Sequence, residues 1–238
     1  MWLLLPIAAH AEPRAGQPVI LSAEFSEPTR RYQHGVFGDD VTFGTLTIIY
    51  NTCYRCFAYT VNTLNIILPE SRVFEDLAPR LADLNGDATP EVVVVETDSQ
   101  QGARLSVYSI DGLVAATPFI GRTHRWLAPA GIADFNGDGQ LDVAYIETPH
   151  LGKTLRIWSL RDGTLVQLAA RSGLSNHRFG QGFISGGVRD CGQGAEIITA
   201  DGAWQNIVAS RMENGEIISE ALGQFTDQDS FSAALACR

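Results

Sequence analysis

Twice in this chain, oxygen-bearing side chains fall two residues apart within a short loop. The fuller case is Asp134-Phe-Asn-Gly-Asp-Gly-Gln-Leu-Asp142. Asp134, Asn136, Asp138 and Asp142 occupy its first, third, fifth and ninth positions, and Gln140 offers a backbone carbonyl at the seventh. Calcium is a hard cation that takes about six to eight oxygen ligands, and a tight turn converges such side chains on it. Gly139, at the sixth position, lets the backbone turn sharply. No Glu stands at position twelve and no helical pattern follows, so the loop is not an EF-hand. The other reading of the same residues is an acidic turn solvated without metal.

The earlier loop is Asp83-Leu-Asn-Gly-Asp-Ala-Thr-Pro-Glu91. Asp83, Asn85 and Asp87 keep the first three positions, Thr89 holds the seventh, and Glu91 replaces the final aspartate. Ala88 stands where glycine would be relaxed, so weaker binding is expected. A third equivalent, Val188 to Glu196, retains only Asp190 and Glu196 as matching acids, and no metal is expected there. The calcium ions are expected to be structural, stapling adjacent strands.

These loops need strands to hold them, and the chain supplies strands by repetition. Leu77 to Thr97 parallels Leu127 to Thr148, with Asp83 and Asp134 51 positions apart. Downstream, Arg104 to Ile110 parallels Thr154 to Leu160, both β-branched and aromatic in strand fashion. Asp111-Gly112, Asp162-Gly163 and Asn214-Gly215 then mark hairpins, because these dipeptides accept positive φ. One unit therefore reads strand, acidic loop, strand, connection, strand, hairpin, strand. Full units begin near Phe74, Trp126 and Phe179.

That pattern predicts an all-β, β-propeller-like array of four-stranded antiparallel blades, about four in number with five as the alternative. The N-terminal part offers strand-like runs at Tyr32 to Gly38, Thr45 to Tyr50 and Thr63 to Leu68. The C-terminal run Phe231 to Cys237 is expected to join them as the strand that closes the ring and hides open sheet edges. Neighbouring blades would then bring Cys191 to Cys237 as a disulfide. Cys53 and Cys56 form a Cys-x-x-Cys between two strand-like runs, which is read as a small disulfide at a hairpin tip. Four cysteines suit an oxidising compartment.

Composition agrees with an exported globular chain. Apolar residues make up 45% and charged residues 18% of 238, enough for a core and too apolar for global disorder. Against 17 Lys and Arg stand 27 Asp and Glu, a formal charge of -10. Such a surface repels phosphate backbones, so nucleic acid is not an expected partner. The apolar run Trp2 to Ala9 followed by Ala9-His10-Ala11 reads as an export signal over 1–11. An N-terminal extension is then expected over 12–30 and a single repeat domain over 31–238. No other segment approaches the length of a membrane span. The expected product is a periplasmic or secreted monomer.

The Asp-x-Asn-x-Asp loops at Asp83 and Asp134, each followed by an apolar strand at this period, resemble FG-GAP/VCBS repeats. That family is related to the N-terminal β-propeller of integrin α chains. Leu-Ala-Pro stands at 77–79 and 127–129 in place of Gly-Ala-Pro. The resemblance, closest to small secreted bacterial members, implies a propeller fold, calcium in the loops and extracytoplasmic placement. It points to a non-catalytic module engaging a protein or carbohydrate partner.

The alternative is a small extracytoplasmic hydrolase or lyase at the mouth of the propeller channel. No Gly-x-Ser-x-Gly, Walker or His-Glu-x-x-His motif supports it. Arg31-Tyr32, His124-Arg125-Trp126 and His177-Arg178-Phe179 recur with the units. Their arginines could bind an anion on one face, or simply stack on aromatic rings. His34 and His150 have no repeat partner and read as loop residues.

Overall fold

The computed structural model describes residues 12–238, so the expected export signal at 1–11 lies outside the described residues. An N-terminal sheet comes first, with β1 (Val19–Thr29), β2 (Thr42–Asn51) and β3 (Val61–Ile67) arranged around β2. β4 (Arg72–Phe74) pairs with β2 on one side and with the next unit on the other. The first repeat unit is β5 (Arg80–Ala82), β6 (Glu91–Asp98), β7 (Gly102–Ser109) and β8 (Gly112–Ala116). The second is β9 (Leu127–Ala133), β10 (Asp142–Glu147), β11 (Thr154–Arg161) and β12 (Thr164–Ser172). The short β13 (Leu174–Ser175) precedes the third, made of β14 (Gly187–Asp190), β15 (Ala195–Asp201), β16 (Asn206–Glu213) and β17 (Glu216–Gln224). Every pairing is antiparallel, and α1 (Gln228–Leu235) follows. The three repeat units are thus the four-stranded units expected from the repeats. Asp162-Gly163 and Asn214-Gly215 place both residues at positive φ, as two-residue hairpins require.

Side chains alternate across each strand, and here both faces are apolar. Val92 and Val94 of β6 pack toward the N-terminal sheet with Leu46, Ile48 and Phe74. Val93 and Val95 pack the other way, with Trp126, Val143 and Tyr145 of the second unit. In β10, Ala144 and Ile146 meet Ile197 and Val208 of the third unit. The cores therefore lie between consecutive sheets, and no unit buries its apolar faces alone.

The end of this stack differs from the expected ring. Phe231 to Cys237 is not a closing strand: α1 covers the outer face of the third unit, where Phe231 and Ala234 pack on Ile198, Ala200, Ile207 and Ala209. Two local causes explain it. Ser232-Ala-Ala-Leu-Ala is rich in strong helix formers. Asp227 also caps the helix, its side chain accepting from the Asp229 and Ser230 N–H groups in a capping box. Two further expectations are corrected. Tyr32 to Gly38 is a loop rather than a strand, and residues 12–30 hold β1, which pairs along most of its length with β2. Pro28 masks that strand in the sequence, and it and the positive φ of Glu27 are tolerated because β1 is an edge.

Both disulfides form, Cys53–Cys56 at the β2–β3 connection and Cys191–Cys237 across 46 positions. The second joins the loop after β14 to the end of α1, so it fastens the capping helix to the third unit rather than one blade to another. No helix among the described residues is long and apolar enough to cross a membrane. Replacing Cys191 and Cys237 by serine is expected to lower the unfolding free energy by about 2–4 kcal/mol. Urea denaturation followed by circular dichroism checks this, with the α1 signal lost before the sheets.

Candidate functional site

The two acidic loops connect the first and second strands of the first and second units. Each is anchored by its second residue, Leu84 or Phe135, a buried side chain inserted between sheets. The ninth residue fixes that plug. Glu91 Oε2 accepts the Leu84 N–H at 2.8 Å, and Asp142 Oδ2 accepts the Phe135 N–H at 3.2 Å.

The remaining hydrogen bonds repeat almost atom for atom. Asp134 Oδ1 accepts from Gly137 N (2.7 Å) and Asp138 N (3.1 Å), and its Oδ2 from Gly139 N (2.9 Å). Asp83 does the same for Gly86, Asp87 and Ala88. Asn136 Oδ1 accepts from Asp138 N, and Asp138 Oδ1 from Gln140 N, both at 2.9 Å. Asn85, Asp87 and Thr89 reproduce that pair. Ala88 takes the glycine's left-handed conformation at φ 70°, beside 86° for Gly139.

The anomaly sits at the ninth position. Asp142 is fully buried; beyond the Phe135 N–H only the Ser159 hydroxyl lies beside its carboxyl, and Gln140 Oε1 has no hydrogen-bond partner. Burial pushes the Asp142 carboxyl up to about 6, against the hydrogen bonds from Ser159 and the Phe135 N–H, with the charges of Asp138 and Asp134 adding to the rise. Burial, with Asp87 and Asp83 beside it, pushes Glu91 up to about 7. Burial also raises Asp138, but hydrogen bonds from Gln140 and Asn136 and the Arg161 guanidinium outweigh it and hold this carboxyl below its ordinary range. In the third unit the equivalent Glu196 meets Arg189 at 2.8 Å and Arg211 at 4.0 Å. The chain thus supplies positive charge to one ninth-position carboxylate and leaves Glu91 and Asp142 without a cationic side chain. An all-oxygen donor set around a buried carboxylate that no cationic side chain balances fits a hard divalent cation. Among the described residues, no three His, Cys, Asp or Glu side chains already stand at metal-ligand spacing. The first loop's Asn85 faces Gln140, Arg161 and Asp162 of the second unit across a cavity of about 350 Å³, so both loops lie on one side of the stack.

A second gathering was not legible in the sequence. His34, His124, His150 and His177 come from four separate loops and meet near Trp126, Phe37 and Phe179. His34 and His150 are therefore not independent loop residues. Burial, then the neighbouring His177, His34 and Lys153, hold the His150 imidazole down at about 4, and burial lowers His177 as well. The arginines do not share an anion-binding face. Arg178 stacks over Trp204 at 4.5 Å and Phe225 at 5.1 Å, while Arg31 Nε donates to the Arg72 carbonyl at 3.1 Å. The stacking reading of Arg178 holds.

Residues 83–145 match the family model of the FG-GAP-like repeat, so the chain carries such a repeat across its two acidic loops. A comparison with curated proteins found no match. Among solved structures, the exotype rhamnogalacturonan lyase YesX is similar at 11% identity, with 91% of this chain and 52% of that chain covered and a TM-score of 0.42. The Bacillus licheniformis rhamnogalacturonan lyase PL11 also has 11% identity, covers 90% of this chain and 53% of its own, and has a TM-score of 0.36. The chain spans about half the length of these structures.

Two outcomes follow from the loop geometry. Ala88→Gly is expected to stabilise the protein by about 0.5–1 kcal/mol, after subtracting glycine's greater freedom in the unfolded chain, and Gly139→Ala to cost a similar amount. Thermal melts of both variants check the pair. In chelator, Glu91 and Asp142 hold protons in the folded state that the unfolded chain has released. Their contribution is present near pH 4 and is lost as pH rises through about 6 and 7. Asp142→Asn should flatten the fall in melting temperature across that window.

Proposed function

We infer that this chain is an exported, calcium-stabilised repeat module that binds a partner and does not itself catalyse a reaction. The observation that carries the reading is the pair of buried ninth-position carboxylates, Glu91 and Asp142, with no cationic side chain beside them. In the second loop, Asp134, Asn136, Asp138 and Asp142 would hold the ion, with the Gln140 carbonyl. In the first, Asp83, Asn85, Asp87, Thr89 and Glu91 would hold it. The ion supplies positive charge that lets the ninth carboxylate ionise while still anchoring the plug residue. Two disulfides suit the oxidising conditions of a periplasmic or extracellular location. The acidic surface favours a basic protein or a neutral carbohydrate over nucleic acid, and the module is read as a monomer.

The gathering of four imidazoles favours one further reading, an extracytoplasmic hydrolase or lyase at that mouth. Turnover in a broad hydrolase and lyase screen, abolished by His34→Ala while the calcium response persists, would select it. Recovery of one protein or glycan on the immobilised module, unaffected by His34→Ala, would select the binding role.

The calcium reading is tested by melting residues 12–238 in EDTA and across a calcium titration. Calcium at about one hundred times its dissociation constant adds about 2.7 kcal/mol per site. Asp142→Asn and Glu91→Gln keep an acceptor for the plug N–H and should each remove the shift belonging to one loop. A flat midpoint together with no calcium in metal analysis overturns the reading.

A further inference from the structure

Among the described residues β3 (Val61–Ile67) pairs with β2 alone, so its other edge is free. Edges of this kind are normally blunted by charge, proline or a bulge, because unpaired N–H and C=O groups recruit further strands. Other open edges of the molecule follow that rule. β1 carries Glu24, Glu27 and Pro28 and shifts register between Ile20 and Ser22, β17 carries Glu216 and Glu220, and β9 carries Pro129. β3 reads Val-Asn-Thr-Leu-Asn-Ile-Ile, with no charge, proline or glycine, and it pairs with β2 without a register shift.

The bonds that flank this ladder fix which backbone groups face outward. Thr52 N donates to the Thr60 carbonyl and Leu68 N to the Gly44 carbonyl, both at 3.0 Å. In an antiparallel ladder the bonding direction alternates residue by residue. The even-numbered residues of β3 therefore turn their N–H and C=O groups to β2, and Val61, Thr63, Asn65 and Ile67 turn theirs to the free edge. The side chains of the same residues are exposed, Val61 at 54% and Ile67 at 75%, while Leu64 and Ile66 pack inward with Leu46 and Ile48.

We propose that β3 is the docking edge for a second copy of this chain, the two β3 strands pairing antiparallel about a two-fold axis at Leu64. The strand is self-complementary in that register. Val61 of one copy stands opposite Ile67 of the other, and Thr63 opposite Asn65, so apolar β-branched pairs flank hydroxyl–amide pairs. Asn65 Oδ1 accepts from Thr47 Oγ1 at 3.1 Å, which leaves the Asn65 Nδ2 donors for the facing Thr63 hydroxyl. A slip by one residue would set outward backbone groups against inward ones, and a slip by two would leave an apolar end residue of each copy unpaired. Charge points to the same edge. At a formal charge of -10 two copies repel over most of their surface, and β3 carries none of it. The antiparallel alignment also sets the β2–β3 connection, with exposed Arg55, beside the strand end that carries exposed Glu70. Each copy has one β3 edge to offer, so the contact is isologous and closes at the dimer. A contact built on one ladder belongs to the small, transient class of interface, and the monomer is the form at high dilution. The pairing does not rest on the calcium reading.

Sedimentation equilibrium of residues 12–238 in excess calcium, from about 1 μM to about 1 mM, tests it. The average mass is expected to rise with concentration toward twice that of the monomer and to stop there. Val61→Lys combined with Ile67→Lys sets like charges opposite one another at both ends of the ladder and should weaken association by at least about 10-fold. Val61→Lys combined with Ile67→Glu changes the same exposed positions but sets opposite charges together, and should associate at least about 10-fold more tightly than the like-charge variant. Unchanged melting temperatures show that both variants are folded. A monomer at every concentration overturns the proposal, as does growth beyond the dimer. Equal association by the two double variants also overturns it, because the contact then lies elsewhere or in another register.

Discussion

The interaction on which the stack depends is the hydrogen bond that the N–H of the residue plugged between sheets donates to a buried carboxylate. Glu91 holds Leu84 in this way and Asp142 holds Phe135. Each plug reaches an inter-sheet core, so loop geometry and sheet spacing are set by the same contact. A carboxylate at that depth is costly when charged and cannot be dispensed with as an acceptor. The loops accordingly gather further oxygens beside it, whereas the third unit answers the same need with Arg189 and Arg211. One electrostatic problem thus has two solutions within one chain.

Serial packing follows from the two-faced strands. Because β6, β10 and β15 are apolar on both sides, every unit needs a neighbour on each face. The array ends where that demand is met by something other than another repeat. At the C-terminal end α1 covers the third unit. At the N-terminal end the outer face of the first sheet is mixed, with Thr45, Thr47, Thr63 and Asn65 bordering an open groove beside the exposed Ile67. Repeat arrays commonly finish on atypical capping elements.

The loops between units do the rest. Tyr32 to Gly38 reaches the connection between β13 and the third unit, where Gly180 N donates to the Val36 carbonyl at 3.0 Å and Phe37 packs edge-on against His177. Gly38 is required there, since a Cβ would stand 2.8 Å from the Gly180 carbonyl oxygen. This crossing carries His34 to the other imidazoles. The histidine mouth is therefore a product of inter-unit packing, while each acidic loop is complete within one unit.

That distinction separates what the sequence determined from what only the tertiary structure decided. Period, strand pattern, hairpin dipeptides and acidic loops are local, and local order was legible: the three repeat units and the Asp-Gly and Asn-Gly turns stand where the residues place them. The disulfide partners were legible too, although Cys191–Cys237 fastens a helix. The C-terminal run was misread because seven small and apolar residues suit strand or helix alike, and the Asp227 cap with the exposed face of the third unit settles it as a helix. The partners of His34 and His150 were hidden because they lie 41 and 27 positions away, at Glu75 and His177. No periodicity links such residues; only the packing of separate loops brings them together.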